Sequence, residues 1–237
     1  MKAKREPSVT WVMVALTMAT GMVEAVSFLT LGPVFTAVQT GNMLLMSFAV
    51  AGVGGLSLVP CLASLVGFTA GAVLSSRFES YGQVRGRRWL RDALVVEAVV
   101  LAVAALVAWG IEARGGTLGG RHYMVAGLVA LAMGIRNVTT LRVNVPGMPT
   151  TVTTRAFTAL IGGSPLAVDT RIASGTRNQI RRTASVAAMF AGGLLGAWMI
   201  KDERLDAAVV LLVIAGYVLA IAVSLVVVPR NASSEPG

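Results

Sequence analysis

The sequence predicts an all-α integral membrane protein: six transmembrane helices plus two re-entrant half-helices, arranged as a 3+3 inverted repeat. Three observations carry that expectation. First, 55% of the 237 residues are hydrophobic and only 13% are charged, about half the charged share of a soluble domain. Second, the apolar residues fall in eight blocks, six of them close to the ~20 residues that span a bilayer core and two clearly shorter. Third, the 20 basic residues sit unevenly in the stretches between those blocks. A soluble globule, a disordered chain and a secreted disulfide scaffold are excluded. The net charge of +9 is explained by topology-setting loops, so no nucleic-acid partner is expected.

Taken in chain order, the first block covers residues 11–31. The basic start Met1 to Arg5 ahead of it resembles a signal peptide, read here as an uncleaved signal-anchor helix because seven more apolar blocks follow. The second block, 40–53, is short and follows Gly32-Pro33. The third covers 56–76 and holds Cys61, a lone cysteine expected to be a small core residue. The fourth covers 90–111, with Asp92 placed to cap its start. A Gly-rich break from Arg114 to Gly120 divides the chain. The fifth block is 122–141. The sixth, 151–163, is short and follows Pro146-Gly147-Met148-Pro149. The seventh is 183–200 and the eighth 205–228.

At 1.5 Å per residue the second and sixth blocks reach only about 20 Å, against a core of about 30 Å. Short segments with Gly/Pro-broken approaches are the mark of half-helices that enter and leave by one side. Basic residues test this. With eight crossings, one orientation leaves five arginines of the 77–91 loop outside, and the other leaves Arg171, Arg177, Arg181 and Arg182 outside. With six crossings, fourteen basic residues fall inside, and only Arg114, Arg121, Lys201 and Arg204 fall outside. The positive-inside rule therefore selects six crossings, with both termini cytoplasmic.

The two halves overlay. Residues 21–24 fall on 134–137 at an offset of 113, and 38–40 on 152–154 at 114. Residues 92–96 fall on 206–210, also at 114, and Ser64 falls on Ser185 at 121. One membrane domain, 1–237, would then hold a first repeat at 10–112 and a second at 122–228. Three crossings per half is an odd number, so the second half is inverted. Gly67-xxx-Gly71 and Ala188-xxx-Gly192-xxx-Gly196 are spaced for close helix approach in lipid. They place the third and seventh helices near the pseudo-twofold axis.

Charged residues in hydrocarbon are costly and face protein or water. Glu24, Glu97 and Arg136 lie within crossings, and Arg155 lies at the start of the sixth block. The carboxylates either pair with the arginines or line a cavity and carry a coupling proton. At the start of the second block stand Gln39, Thr40, Gly41 and Asn42; the matching place holds Thr151, Thr153, Thr154 and Arg155, with Asn137 opposite Glu24. Two half-helix N-termini at mid-membrane would offer free N–H groups and positive dipole ends to a polar or anionic solute. Alternatively, these side chains only satisfy broken backbone.

No enzyme chemistry is expected. The single histidine, His122, supports neither a triad nor a histidine metal cluster, and no phosphate-cradling loop occurs. No metal and no cofactor are expected. The partners expected are the lipid bilayer and an unidentified small solute; a homo-oligomer is compatible with the pattern.

Gly21-Met22-Val23-Glu24-Ala25-Val26-Ser27-Phe28-Leu29, Val34-Phe35 and Gln39-Thr40-Gly41-Asn42 resemble the opening signature of the YoaK-like family. That family comprises bacterial multi-pass inner-membrane proteins classed as a domain of unknown function. Met133-Gly134-Ile135-Arg136-Asn137 and Thr150-Thr151-Val152-Thr153-Thr154 are similar to its second-half signature. The resemblance covers about residues 10–228. This chain departs from it at Glu24, where the family usually has Asp, and at Arg136 and Arg155, where it usually has Gln and Gly. The resemblance implies an inner-membrane location and supplies no activity. The expected function is a secondary transporter or permease for a small polar or anionic solute, coupled to protons through Glu24 or Glu97. A non-transporting scaffold or sensor-associated protein is the alternative.

Overall fold

A computed structural model describes residues 6–53, 56–81, 87–111, 118–143, 153–162 and 176–227. Among these residues there are eight α-helices and no strand: α1 Glu6–Thr30, α2 Gln39–Val50, α3 Leu58–Tyr81, α4 Arg87–Ala108, α5 Gly120–Val143, α6 Thr153–Gly162, α7 Thr176–Ile200 and α8 Ala207–Val227. Every apolar block became a helix. Outside the described residues lie the basic start, the tips of the 77–91 and 165–182 loops, most of the Gly-rich break, the Pro146–Pro149 motif, Thr150 to Val152 and Arg230.

The boundaries have local causes. Pro7 sits in the first turn of α1 and Pro60 in that of α3, where a missing N–H breaks no helical bond. Ser57 Oγ accepts the Val59 N–H at 3.3 Å at the start of α3. Arg121 donates to the Val107 and Trp109 carbonyls at 2.9 and 2.6 Å, closing the C-terminal end of α4. Between α7 and α8 the chain turns through a short 3-10 segment, Lys201–Glu203, with Asp202 at φ 55°. There the Arg204 guanidinium lies 4.7 Å over the Trp198 ring.

Among the described residues, five helices are long and apolar enough to cross a membrane: the spans Val9–Thr30, Leu58–Arg77, Gly120–Val143, Asn178–Ile200 and Ala207–Leu225. The helix α4 has comparable length, but its first half carries Arg87, Arg88, Arg91, Asp92 and Glu97. Asp92 does not cap it. The helix begins five residues earlier, and Asp92 is exposed and paired with Arg91 at 2.5 Å. With 12 and 10 residues, α2 and α6 reach about 18 and 15 Å.

The helices α1 and α5 form the inside of the bundle. Their spans are 61% buried, against 28% for α3 and 33% for α7. Packing pairs α3 with α5, α1 with α7, α4 with α8, α4 with α5, and α1 with α8; α2 lies on α3 and α6 on α7. The core runs through Leu16, Val23, Leu94, Leu101, Val129, Met133, Leu211 and Val218. Trp11, Val66, Leu106, Phe190 and Leu194 point outwards and are exposed, as lipid-facing side chains must be.

The small-residue stripes do let backbones meet, but not where the sequence suggested. A Cβ on Gly67 or Gly71 would overlap the Gly127 or Leu131 carbonyl of α5, and one on Gly192 that of Met18 in α1. Thus α3 and α7 are peripheral, α3 packing on α5 and α7 on α1, while α4 packs on α8 and α1 touches α5. Lipid gives no hydrophobic drive for helix association, so close approach is spent where it anchors the inner helices.

Candidate functional site

After Thr30 the chain leaves α1 and reverses through Gly32, whose φ of +101° suits glycine. The backbone from Leu31 to Val38 is non-helical and largely buried. The Leu31 N–H still reaches the Ser27 carbonyl and the Val34 N–H the Gly32 carbonyl, but the Thr36 and Ala37 N–H groups need an acceptor that apolar surroundings do not provide. Glu24, one turn and a half from the end of α1, supplies it. Its Oε1 accepts the Ala37 N–H at 2.5 Å, and both oxygens accept the Thr36 N–H, at 3.2 and 3.3 Å. The Thr36 and Ser27 hydroxyls share a 3.1 Å hydrogen bond beside it.

Next to this carboxylate, Asn42 treats Phe35 as a strand would. Its Oδ1 accepts the Phe35 N–H at 2.9 Å, and its Nδ2 donates to the Phe35 carbonyl at 2.6 Å. Gln39 donates to the Thr36 carbonyl at 3.0 Å, and its Oε1 accepts from Asn42 at 2.8 Å. Ser64 of α3 closes the network: it donates to the Phe35 carbonyl at 2.7 Å and accepts from Gln39 and Asn42, each at 3.1 Å. Gly41 lies against the Phe35 ring, which stacks on Phe28 with centroids 5.1 Å apart. Thr40 is exposed and outside the network. The structure therefore unites Glu24, Gln39, Gly41 and Asn42 and adds Ser27, Thr36 and Ser64, which sequence reasoning did not select. Glu24 thus bonds the Thr36 and Ala37 N–H groups of the turn ahead of α2, while no side chain caps α2 itself and the Gly41 N–H turns back to the Val38 carbonyl at 3.1 Å.

Glu97 and Arg136 form a second, separate cluster. Both are fully buried, and Arg136 Nη2 donates to Glu97 Oε1. Arg136 Nη1 donates to the Leu16 carbonyl at 3.2 Å and to Thr20 Oγ1 at 3.0 Å. Arg136 thus joins α1, α4 and α5 and does not partner Glu24. Glu97 Oε2 and Arg136 Nε have no hydrogen-bond partner.

In the second half, Thr151 lies outside the described residues. Thr153, Thr154 and Arg155 form the first turn of α6, so their proximity to Gln39 and Asn42 falls outside what is described. Asn137 is half-buried in α5. A further group was missed because the seventh block was placed at 183–200, while α7 begins at Thr176. Arg182, assigned to a loop, is instead buried in α7 and donates to the Ala159 carbonyl of α6 at 2.8 Å. Among the described residues, Gln179 Nε2 and Oε1, Arg182 Nε and Ser185 Oγ are buried without partners. The overlay of Ser64 on Ser185 was the sequence signal for this region. Among the described residues no three His, Cys, Asp or Glu side chains are grouped to hold a metal ion.

Long apolar helices, outward-facing apolar side chains and charges enclosed inside the bundle define a multi-pass α-helical membrane protein. Residues 12–224 match the family described as "Protein of unknown function (DUF1275)", and the chain belongs to it. It is 26% identical over 149 residues to the "UPF0700 transmembrane protein YoaK" of Bacillus subtilis (strain 168). That alignment covers 62% of this chain and 63% of the relative, less than two thirds of its length. No solved structure matches at a significant level.

Proposed function

We propose that this protein is a secondary transporter or permease for a small polar or anionic solute, without enzymatic activity, in the bacterial inner membrane. In this reading α4 is the sixth crossing, both termini are cytoplasmic, and the halves form a 3+3 inverted repeat. The observation that carries it is the exchange of contacts between the halves. Gly134 meets the Phe68 carbonyl and Ala72 N of α3; Gly21 meets the Met189 carbonyl and Gly193 N of α7. Gly71 meets Leu131, and Gly192 meets Met18. These pairs are related by the same offsets, 113 and 121, that relate the sequences. The half-length helices α2 and α6 occupy corresponding places, each on the third helix of its own half. Inverted repeats with interrupted segments at corresponding positions support alternating access.

The test is a thermal-shift screen of the purified protein with organic anions, sugars and nucleobases. A saturable rise in Tm with one class is the expected result; no rise with any class contradicts the reading. One observation favours a scaffold instead: the Glu24 and Glu97 carboxylates each have partners within the protein. Under that reading no solute shifts the Tm, and substituting either acid costs stability alone.

A further inference from the structure

The two halves treat corresponding positions differently. At the offsets found above, Ser64 corresponds to Ser185, Cys61 to Arg182, Asn42 to Ala156 and Glu24 to Asn137. In the first half the turn ahead of α2 is closed from within: Glu24 gives the carboxylate, Asn42 the amide, and Ser64 is bonded to Phe35, Gln39 and Asn42. In the second half the sequence removes these groups. Ala156 is buried and has no polar side chain, and Asn137 has no charge. Ser185, fully buried, keeps its hydroxyl without a partner. Where the first half has Cys61, the second brings a cation.

Gln179, Arg182 and Ser185 are spaced by three residues and so share one face of α7. The Arg182 bond to the Ala159 carbonyl shows that this face looks towards α6. Arg182 is only 6% exposed, and among the described residues no carboxylate pairs with it. A guanidinium buried without an anion is strongly unfavourable. Its planar fork suits bidentate binding of a carboxylate or phosphate group.

We propose that the α6–α7 interface at Gln179, Arg182 and Ser185 binds a small oxyanion, an anion that the buried Arg182 guanidinium lacks among the described residues. Arg182 Nε and a free Nη hydrogen face the oxyanion, and the Gln179 amide and Ser185 hydroxyl donate to it. That this oxyanion is the transported solute rests on the transporter reading; its binding does not. An anionic lipid headgroup carries the same chemistry, so the source needs its own arm of the test.

The full-length protein is reconstituted in phosphatidylcholine nanodiscs and titrated with inorganic phosphate and, separately, acetate, following Tm. A parallel sample contains phosphatidylglycerol. A saturable Tm rise with either anion is expected, weakened at least about tenfold in Arg182→Gln and severalfold in Arg182→Lys and Ser185→Ala. Ser185→Ala removes a hydroxyl that has no protein partner, so its fold is retained and it reports binding cleanly. An Arg182-dependent rise produced only by phosphatidylglycerol assigns the same site to a headgroup. No rise with anion or lipid overturns the proposal, as does a rise equal in Arg182→Gln and Ser185→Ala. Arg182-dependent binding without flux defeats the transporter reading and leaves the site standing; flux unaffected in variants that no longer bind the anion shows that the bound oxyanion is not the transported solute.

Discussion

Removing one member of the Glu97–Arg136 pair is the sharpest perturbation the structure offers. Both side chains are fully buried, and the pair links α4 to α5 while Arg136 also holds α1 through Leu16 and Thr20. In Arg136→Met, Leu16 and Thr20 lose little, because the Thr20 hydroxyl still donates to the Leu16 carbonyl at 3.0 Å. The cost falls on Glu97, whose Oε2 already lacks a partner and whose Oε1 would then lose its own. An unpaired buried charge costs about 3–5 kcal/mol. Glu97→Met leaves the guanidinium charge unpaired and should cost a similar amount. The double variant Glu97→Met/Arg136→Met removes both charges and should return to within about 1–2 kcal/mol of the parent. Reversible unfolding of the reconstituted protein, read by tryptophan fluorescence, gives the four free energies of the cycle. A coupling energy of at least about 3 kcal/mol is expected for close buried charges. If the double variant is as unstable as the two single losses added together, the pair is not the unit described here.

Gly71→Ala and Gly192→Ala should each destabilise by about 1–3 kcal/mol, since a Cβ there meets the backbone of Leu131 or Met18. Gly216→Ala, with open space around it, should be neutral or stabilise α8 by up to about 1 kcal/mol; equal effects in unfolding experiments on all three would remove the packing argument. Reporter fusions after Arg88 and Arg177 should read cytoplasm, and those after Gly116 and Asp202 the outside. An outside signal at Arg88 breaks the six-crossing arrangement. Glu24→Gln keeps one oxygen acceptor for the Ala37 and Thr36 N–H groups but loses the charge, and should lower stability by about 1–3 kcal/mol. A variant with unchanged Tm yet no pH-driven uptake would instead assign Glu24 a coupling proton.

Eight helices and their order were legible because apolar runs and Gly/Pro breaks act locally. The two short segments were legible for the same reason: their apolar runs are short and follow Gly32-Pro33 and Pro146–Pro149 in the sequence. The start of α7 was not, because Arg177, Arg181 and Arg182 read as loop on hydropathy while the backbone continues as helix. Partner choice was the other limit. Glu24 and Glu97 are both acids within apolar helices, and composition treats them alike. What separates them is the third dimension: the 31–38 turn folds its Thr36 and Ala37 N–H groups onto Glu24, while α5 brings Arg136 to Glu97. Thr36 and Ser64 were invisible as site residues because serine and threonine in lipid usually bond their own helix, as Thr17 and Thr30 do with Met13 and Val26. The position of α3 and α7 failed for a related reason, since a glycine stripe shows that a helix is approached closely but not by which neighbour.

Solute flux through the protein separates a transporter from a membrane scaffold. Proteoliposomes containing the full chain are loaded with the anion that gives the largest thermal shift, and counterflow of the labelled anion is followed with and without a pH gradient. Saturable, protein-dependent counterflow is expected, falling at least about tenfold in Arg182→Gln at unchanged vesicle integrity. Protein that binds the anion and unfolds cooperatively, yet exchanges none of it above empty liposomes, would contradict a transporter and leave a membrane scaffold.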